Sequence, residues 1–362
     1  MTMESTAVVT DLSDLGTIRQ AAERVMPPAY RDFVNNADME RTLTDDIAAW
    51  SALRLRPRAL VDVSHVDTSV TLLGQPVSMP IVTAPFIGST LVHPDGEVAT
   101  ARGALAAGTI TTLSMNGTRT PEQVGAVAAG RYWQQVYWVR DRDIVRDIVE
   151  RAVASGASAL CLTVDLPVMP AFGGRMKKAA AALNESWVSE EHGMYPIRDY
   201  RHKPFGSSFP DPSLTWADLE WLQGLSDLPL ILKGVIRPED AVLARDHGAA
   251  AVVVSNHAGQ GLRDSQPVAH ALPAIVDAVG DDLEVYADSG IRSGADVLRA
   301  LALGARSVLI GRPTLWGLAA GGSAGVERVL RLLHAELSEV MAITGAPRVS
   351  DIDRSVLAPE HA

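Results

Sequence analysis

The chain has 362 residues, of which 47% are hydrophobic and 21% charged, and 32 Lys+Arg against 43 Asp+Glu leave a net charge of −11. That balance disfavours a nucleic acid or an anionic membrane as partner, since both require a basic face. The hydrophobic content excludes a disordered chain, and a single cysteine, Cys161, excludes a disulfide framework or a multi-cysteine metal site, so no metal is expected. No apolar run reaches the ~18 residues of a membrane helix. The opening MTMESTAVVTDLSDLG lacks a basic n-region and an apolar h-region, so a cytoplasmic protein is the default expectation.

In chain order, residues 1–50 predict two or three short helices that cap one end, and residues 51–362 form the main body. Residues 66–80 (VDTSVTLLGQPVSMP) predict a closing hairpin. Beyond residue 80, short apolar runs recur at 81–86, 109–114, 132–138, 159–165, 229–235, 250–256, 284–290 and 307–313. Stretches such as 141–155, 237–247 and 293–303 lie between them, with apolar residues at helical spacing. Runs that are apolar on both faces and separated by helices predict parallel strands covered by helices. Eight such units predict a (β/α)8 TIM barrel, a single α/β domain with an N-terminal helical cap. An open doubly wound sheet is the alternative, but no strand–GxGxxG–helix unit supports it. Residues 166–213, after the fourth strand, show little periodicity, and a loop of that length reads as a lid on the catalytic face.

Barrel active sites are built at the C-terminal ends of strands. Those ends here carry Ala84-Pro85-Phe86, Ser114-Met115-Asn116, Gln135 and Tyr137, Thr163-Val164-Asp165, Lys233, Ser255-Asn256-His257, Asp288-Ser289-Gly290 with Arg292, and Gly311-Arg312. Packing alone predicts small apolar residues at such positions. The loops after strands seven and eight, DSGIRSG and IGRP, supply glycines for close backbone approach and one arginine each, a phosphate-site pattern. His257 suits proton transfer at neutral pH, and Asp165 lies at the same barrel end to orient it. Lys233 would be costly to bury without an anionic partner. His93, in HPDGE ahead of a helix, fits a capping or packing role.

These residues resemble the FMN-dependent α-hydroxy-acid oxidases and dehydrogenases, over about residues 20–345. The resemblance is carried by LRPRALVDVS, MPIVTAPF…HPDGE, AAGTITTLS, QVYW, LTVDLP, LPLILKGV, VVVSNHAGQ and YADSGIRSGADVLRALALGARSVLIGRP. It implies FMN as cofactor and a homotetramer. The backbone at Ala84, Pro85 and Phe86, with Ser114, Gln135 and Thr163, would hold the flavin ring, and Lys233 would sit at its N1–O2 edge. Ser255, Asp288, Ser289, Gly290, Arg292, Gly311 and Arg312 complete the implied cofactor set, the last residues around the ribityl phosphate. His257 would take the α-hydroxyl proton while hydride passes to flavin N5, Asp165 would stabilise the imidazolium, and Tyr137 would bond the substrate oxygen.

Several positions depart from the family pattern. Where the family has an arginine three residues after the histidine, which clamps the substrate carboxylate, SNHAGQGLRD places Gln260, with Arg263 nearby. Phe33 stands where a tyrosine is often found, and Tyr30 is expected on another helical face. Asn116 replaces an aromatic, Arg175 is at best a partial substitute for an arginine in the long loop, and Ser289 replaces a glycine. Carboxylate ligands have gone while the flavin and proton-transfer groups persist. The expected reaction is therefore oxidation of an α-hydroxy acid, or of a carboxyl-blocked or carrier-tethered derivative in a biosynthetic tailoring step, with oxygen or another electron acceptor. An FMN-dependent isomerase and a non-catalytic flavin-binding barrel are the alternatives.

Overall fold

The computed structural model describes residues 12–35, 40–168, 174–204 and 207–359. Strands β1 (Val70–Leu72) and β2 (Gln75–Val77) form the antiparallel hairpin expected within 66–80. Leu73 and Gly74 both take positive φ in its two-residue turn, the geometry that matches strand twist. The hairpin sits at the N-terminal end of the barrel, where the Leu73 amide donates to the Glu284 carboxylate at 3.2 Å.

Eight parallel strands follow: β3 (Ile81–Thr83), β4 (Thr111–Leu113), β5 (Tyr132–Tyr137), β6 (Ala159–Thr163), β7 (Leu230–Val235), β8 (Ala251–Val254), β9 (Glu284–Ala287) and β10 (Ser307–Ile310). They close in sequence order, with β10 pairing β3. The run 229–235 ends with β7 at Val235, and the other seven of the eight expected runs extend past the strands at their C-terminal ends. There the chain leaves the ladder and turns toward the cavity. Inward-facing residues fill the barrel: Trp133 stacks on Tyr286 with centroids 5.5 Å apart, among Val82, Ile110, Cys161, Ile231, Val253 and Leu309. Outward-facing ones pack against helices such as Arg142–Ala154 and Gly294–Ala302, whose starts are capped by Asp141 and Ser293.

Helices Leu15–Val25, Pro28–Val34 and Glu40–Ala52 make up the described N-terminal segment. The first lies along the long C-terminal helix Arg312–Thr344, and the second against helix Gly174–Val188. Helix Glu40–Ala52 runs across residue 50 and lies over the C-terminal ends of the strands, bonded to loops that follow β8 and β9. His93 packs beside the kink of the C-terminal helix, where a Cβ on Gly322 would come within 2.6 Å of its Nε2.

The segment after β6 is more regular than its sequence pattern predicts. It contains helices Gly174–Val188 and Tyr195–Asp199. The first is rich in Ala, with Lys and Leu beside it, strong helix formers that need no amphipathic period to form a helix on the surface. The segment is tied down on its return. The Tyr195 amide donates to Gly117 O at 2.9 Å, the Asp211 amide donates to Trp138 O at 2.9 Å, and Arg151 pairs with both Glu122 and Asp199.

Candidate active site

A cavity of about 270 Å³ opens at the C-terminal end of the barrel. One water needs only ~10–15 Å³ on the same measure, so the space suits a far larger ligand. Every strand end contributes to it or to the shell behind it. Ala84, Pro85, Phe86, Ser114, Asn116, Tyr137, Thr163, Lys233, His257, Gln260, Asp288, Ser289, Gly290, Arg292, Gly311 and Arg312 line it, with Phe33 from the N-terminal segment.

Three predicted residues, Gln135, Ser255 and Asp165, lie behind the lining and tie it together. Gln135 accepts from Ser114 Oγ at 3.2 Å and the Met115 amide at 3.0 Å, and donates to Thr163 Oγ1 at 3.0 Å. One buried amide thus sets both hydroxyls on neighbouring strands. Ser255 Oγ accepts from Lys233 Nζ at 3.1 Å and from the His257 amide at 3.2 Å, which joins the lysine to the histidine turn.

Lys233 is 3% exposed and pairs with Asp288 at 3.0 Å. Burial disfavours its ammonium, but the Asp288 and Asp165 charges outweigh that and hold the lysine protonated, well above its ordinary range. It is a fixed cation at the cavity wall. His257 Nδ1 lies 3.2 Å from Asp165 Oδ1. Since a carboxylate only accepts, the imidazole proton resides on Nδ1 and Nε2 is left as an acceptor. Burial pushes the Asp165 carboxyl up, yet His257, through its charge when it takes up a proton and through its hydrogen bond, together with the Lys233 charge, holds it below the usual carboxylate range. Gly234 makes this pair possible: at φ +106° a Cβ there would lie 2.5 Å from Asp165 Cγ. Burial keeps the Tyr137 hydroxyl protonated, its pKa raised far beyond the neutral range.

The opposite corner is built for an anion. Arg312 and Arg292 both line it. Burial, then the Arg312 charge, depresses the Arg292 guanidinium, and burial depresses that of Arg312. Arg312 Nη1 is buried with no hydrogen-bond partner among the described residues. Arg312 is the first residue of helix Arg312–Thr344, whose start has no side-chain cap, so backbone N–H groups there are open to an oxyanion. Two crowded guanidiniums, an orphaned donor and an uncapped helix start fit a phosphate.

The remaining predicted substrate ligands divide. Phe33, Asn116, Tyr137 and Gln260 reach the cavity. Arg263 does not: it is exposed, in a run of exposed residues from Gly261 to Asp264. Arg175 is likewise exposed on the lid helix and pairs with Glu40. Among the described lining residues the only Lys or Arg side chains are Lys233, Arg292 and Arg312. Tyr30 is fully buried, donates its hydroxyl to Ile87 O, and does not line the cavity. The lid adds Leu166, Val168, Met194, Ile197, Phe209 and Pro210, an apolar wall. Strand-end reasoning missed these lid residues, and it also missed Thr42, Asp46 and Trp50 on helix Glu40–Ala52. Their four-residue spacing, which places them on one helix face, was the available signal.

A family described as FMN-dependent dehydrogenase matches residues 21–359. The chain belongs to the FMN-dependent α-hydroxy-acid oxidase family. It is 42% identical to an L-lactate oxidase of Nostoc sp., covering 91% of this chain and 93% of that protein. It is 39% identical to glycolate oxidase 1 of Oryza sativa, covering 92% of each. A solved mandelate oxidase structure superposes with a TM-score of 0.82 at 37% identity, over 93% of this chain and 96% of that one. The protein is thus an oxidoreductase acting on the CH–OH group of α-hydroxy acids, with FMN as cofactor. The isomerase and non-catalytic alternatives give way to this assignment.

Proposed function

We propose that this family member oxidises an α-hydroxy acid derivative whose carboxyl group is blocked as an amide, ester or thioester. The observation that carries the reading is Gln260 at the cavity wall, with Arg263 and Arg175 both exposed. An Arg–carboxylate pair gives two parallel charge-assisted bonds, whereas a neutral amide suits a neutral carbonyl. The apolar lid wall and Phe33 suit an apolar α-substituent. An arginine-to-leucine variant of mandelate oxidase, solved with 2-hydroxy-phenylacetamide, is similar to this chain with a TM-score of 0.78 at 34% identity. That neutral amide has the chemistry proposed here.

In this reading His257 Nε2 removes the α-hydroxyl proton, and Asp165 stabilises the imidazolium through Nδ1. Tyr137, held protonated, donates to the substrate oxygen as its charge develops. Bound FMN supplies the hydride acceptor. Ser114, Gln135 and Thr163 would hold its ring, Lys233 would place a fixed positive charge at the ring edge that gains electrons, and Arg292 and Arg312 would hold the phosphate. Molecular oxygen is the proposed final acceptor, in keeping with the oxidase names of the relatives.

The test is anaerobic addition of mandelamide, methyl mandelate and free mandelate to the yellow enzyme. The neutral compounds are expected to bleach the flavin at lower concentration than the free acid. Equal or better bleaching by free mandelate overturns the blocked-carboxyl reading, and loss of that activity in Arg263→Ala would place the clamp further along the loop. Conversely, Gln260→Arg, alone or with Phe33→Tyr, should improve free-acid binding. A tenfold fall in the apparent Kd corresponds to ~1.4 kcal/mol, within reach of one added bidentate contact.

A further inference from the structure

Helix Glu40–Ala52 grips the catalytic loops with three residues spaced four apart. Thr42 Oγ1 accepts from the Asp264 amide at 3.1 Å, and Trp50 Nε1 donates to Ser289 O at 2.8 Å. Asp46, between them, is 0% exposed. It accepts from Asn256 Nδ2 at 2.8 and 3.0 Å on its two oxygens, and from the Val268 amide at 3.2 Å. The Val268 contact caps helix Val268–Val279, which has no side-chain cap of its own. Asn256 is fixed in turn, and its Oδ1 accepts from the Ala258 amide at 2.8 Å.

What these bonds hold is an unfavourable backbone. His257 and Ala258 stand at φ +52° and +50°, Asp264 at +56° and Ser289 at +61°. Such conformations persist in residues other than glycine only where the surroundings over-determine them. All four lie in segments that the Thr42–Asp46–Trp50 face bonds directly or through Asn256. We propose that Asp46 is a positioning residue for the reaction: through Asn256 it holds the left-handed His257–Ala258 turn and so sets the reach of His257 Nε2. Burial pushes the Asp46 carboxyl up to about 6, against the Asn256 and Val268 donors that lower it. The partners of Asp46 are N–H donors, so the geometry suits a carboxylate that offers both oxygens to them. A carboxamide at the same place keeps one accepting oxygen, enough for Asn256 and Val268 together. An aliphatic side chain keeps none.

The inference rests on His257 being the base. The test compares flavin-loaded Asp46→Leu, Asp46→Asn and His257→Asn by anaerobic flavin reduction, steady-state kinetics and FMN titration. Displacement of a reacting group by about 1 Å can cost ~10²-fold in rate. Asp46→Leu is expected to lose at least about tenfold in kcat, with KM and FMN affinity each within about threefold of wild type. Asp46→Asn is expected to recover most of that loss. If Asp46→Leu does not fold, Asn256→Ala carries the same test, because it removes the link from the other side. The proposal is overturned if Asp46→Leu keeps kcat within about twofold, or if its loss is matched by lost FMN. If His257→Asn loses turnover while Asp46→Leu does not, the base assignment stands and this inference alone fails. If His257→Asn keeps turnover, the base assignment itself fails.

Discussion

Replacing His257 with asparagine is expected to leave a folded, yellow protein that has lost ~10²–10⁴ of its turnover, the usual cost of removing a general base. Asparagine is the substitution of choice for a backbone reason. His257 stands at φ +52°, and asparagine tolerates the left-handed region better than most residues. The turn and the bonds its amides donate to Asn256 and Ser255 are therefore retained while the proton acceptor is removed. The flavin spectrum, the FMN dissociation constant and the thermal midpoint should stay close to wild type, because His257 Nδ1 contacts Asp165 rather than the phosphate corner. Turnover within a few-fold of wild type would remove His257 from its assigned role. So would a loss that free FMN restores.

Arg312→Met is expected to act in opposite directions on the two forms of the protein. With FMN bound, it removes a guanidinium from the phosphate corner. A hydrogen bond to a charged group contributes ~1.5–3 kcal/mol, so the FMN dissociation constant should rise ~10–100-fold. Without FMN, the same guanidinium is a liability. It crowds Arg292, its Nη1 has no partner among the described residues, and burial depresses its pKa. Methionine keeps most of the apolar stem and removes that charge, so the apoprotein should melt no lower than wild-type apoprotein, and the holoprotein should melt lower. Flavin-fluorescence titration of the apoprotein and paired melting curves read both effects. An apoprotein destabilised as much as the holoprotein would show that Arg312 is a structural cation rather than an anchor for phosphate.

The barrel was legible in the sequence because its strands are buried on both faces and read as uninterrupted apolar runs, while helices such as Arg142–Ala154 keep a clean apolar stripe. The phosphate corner was legible for a similar reason. Its glycines and arginines lie within short segments after consecutive strands, so local order along the chain already brings them together. Lid helix Gly174–Val188 was not legible, since propensity rather than periodicity forms it.

For the site, amino-acid identity alone determined that a histidine, a lysine and two arginines stand at strand ends, and that Gln260 stands where the family places an arginine. Whether Arg263 or Arg175 replaces that arginine was a question of loop direction. In the fold Arg263 is exposed and Arg175 pairs with Glu40, so neither lines the cavity. The role of helix Glu40–Ala52 was likewise beyond the sequence. Asp46 and Asn256 are 210 positions apart, and no local pattern links a residue in the cap to a turn after β8. Chain order settles which groups the barrel presents at its rim. Only the tertiary fold sets how strained turns such as His257–Ala258 are held, because that depends on buried hydrogen bonds between segments remote in sequence.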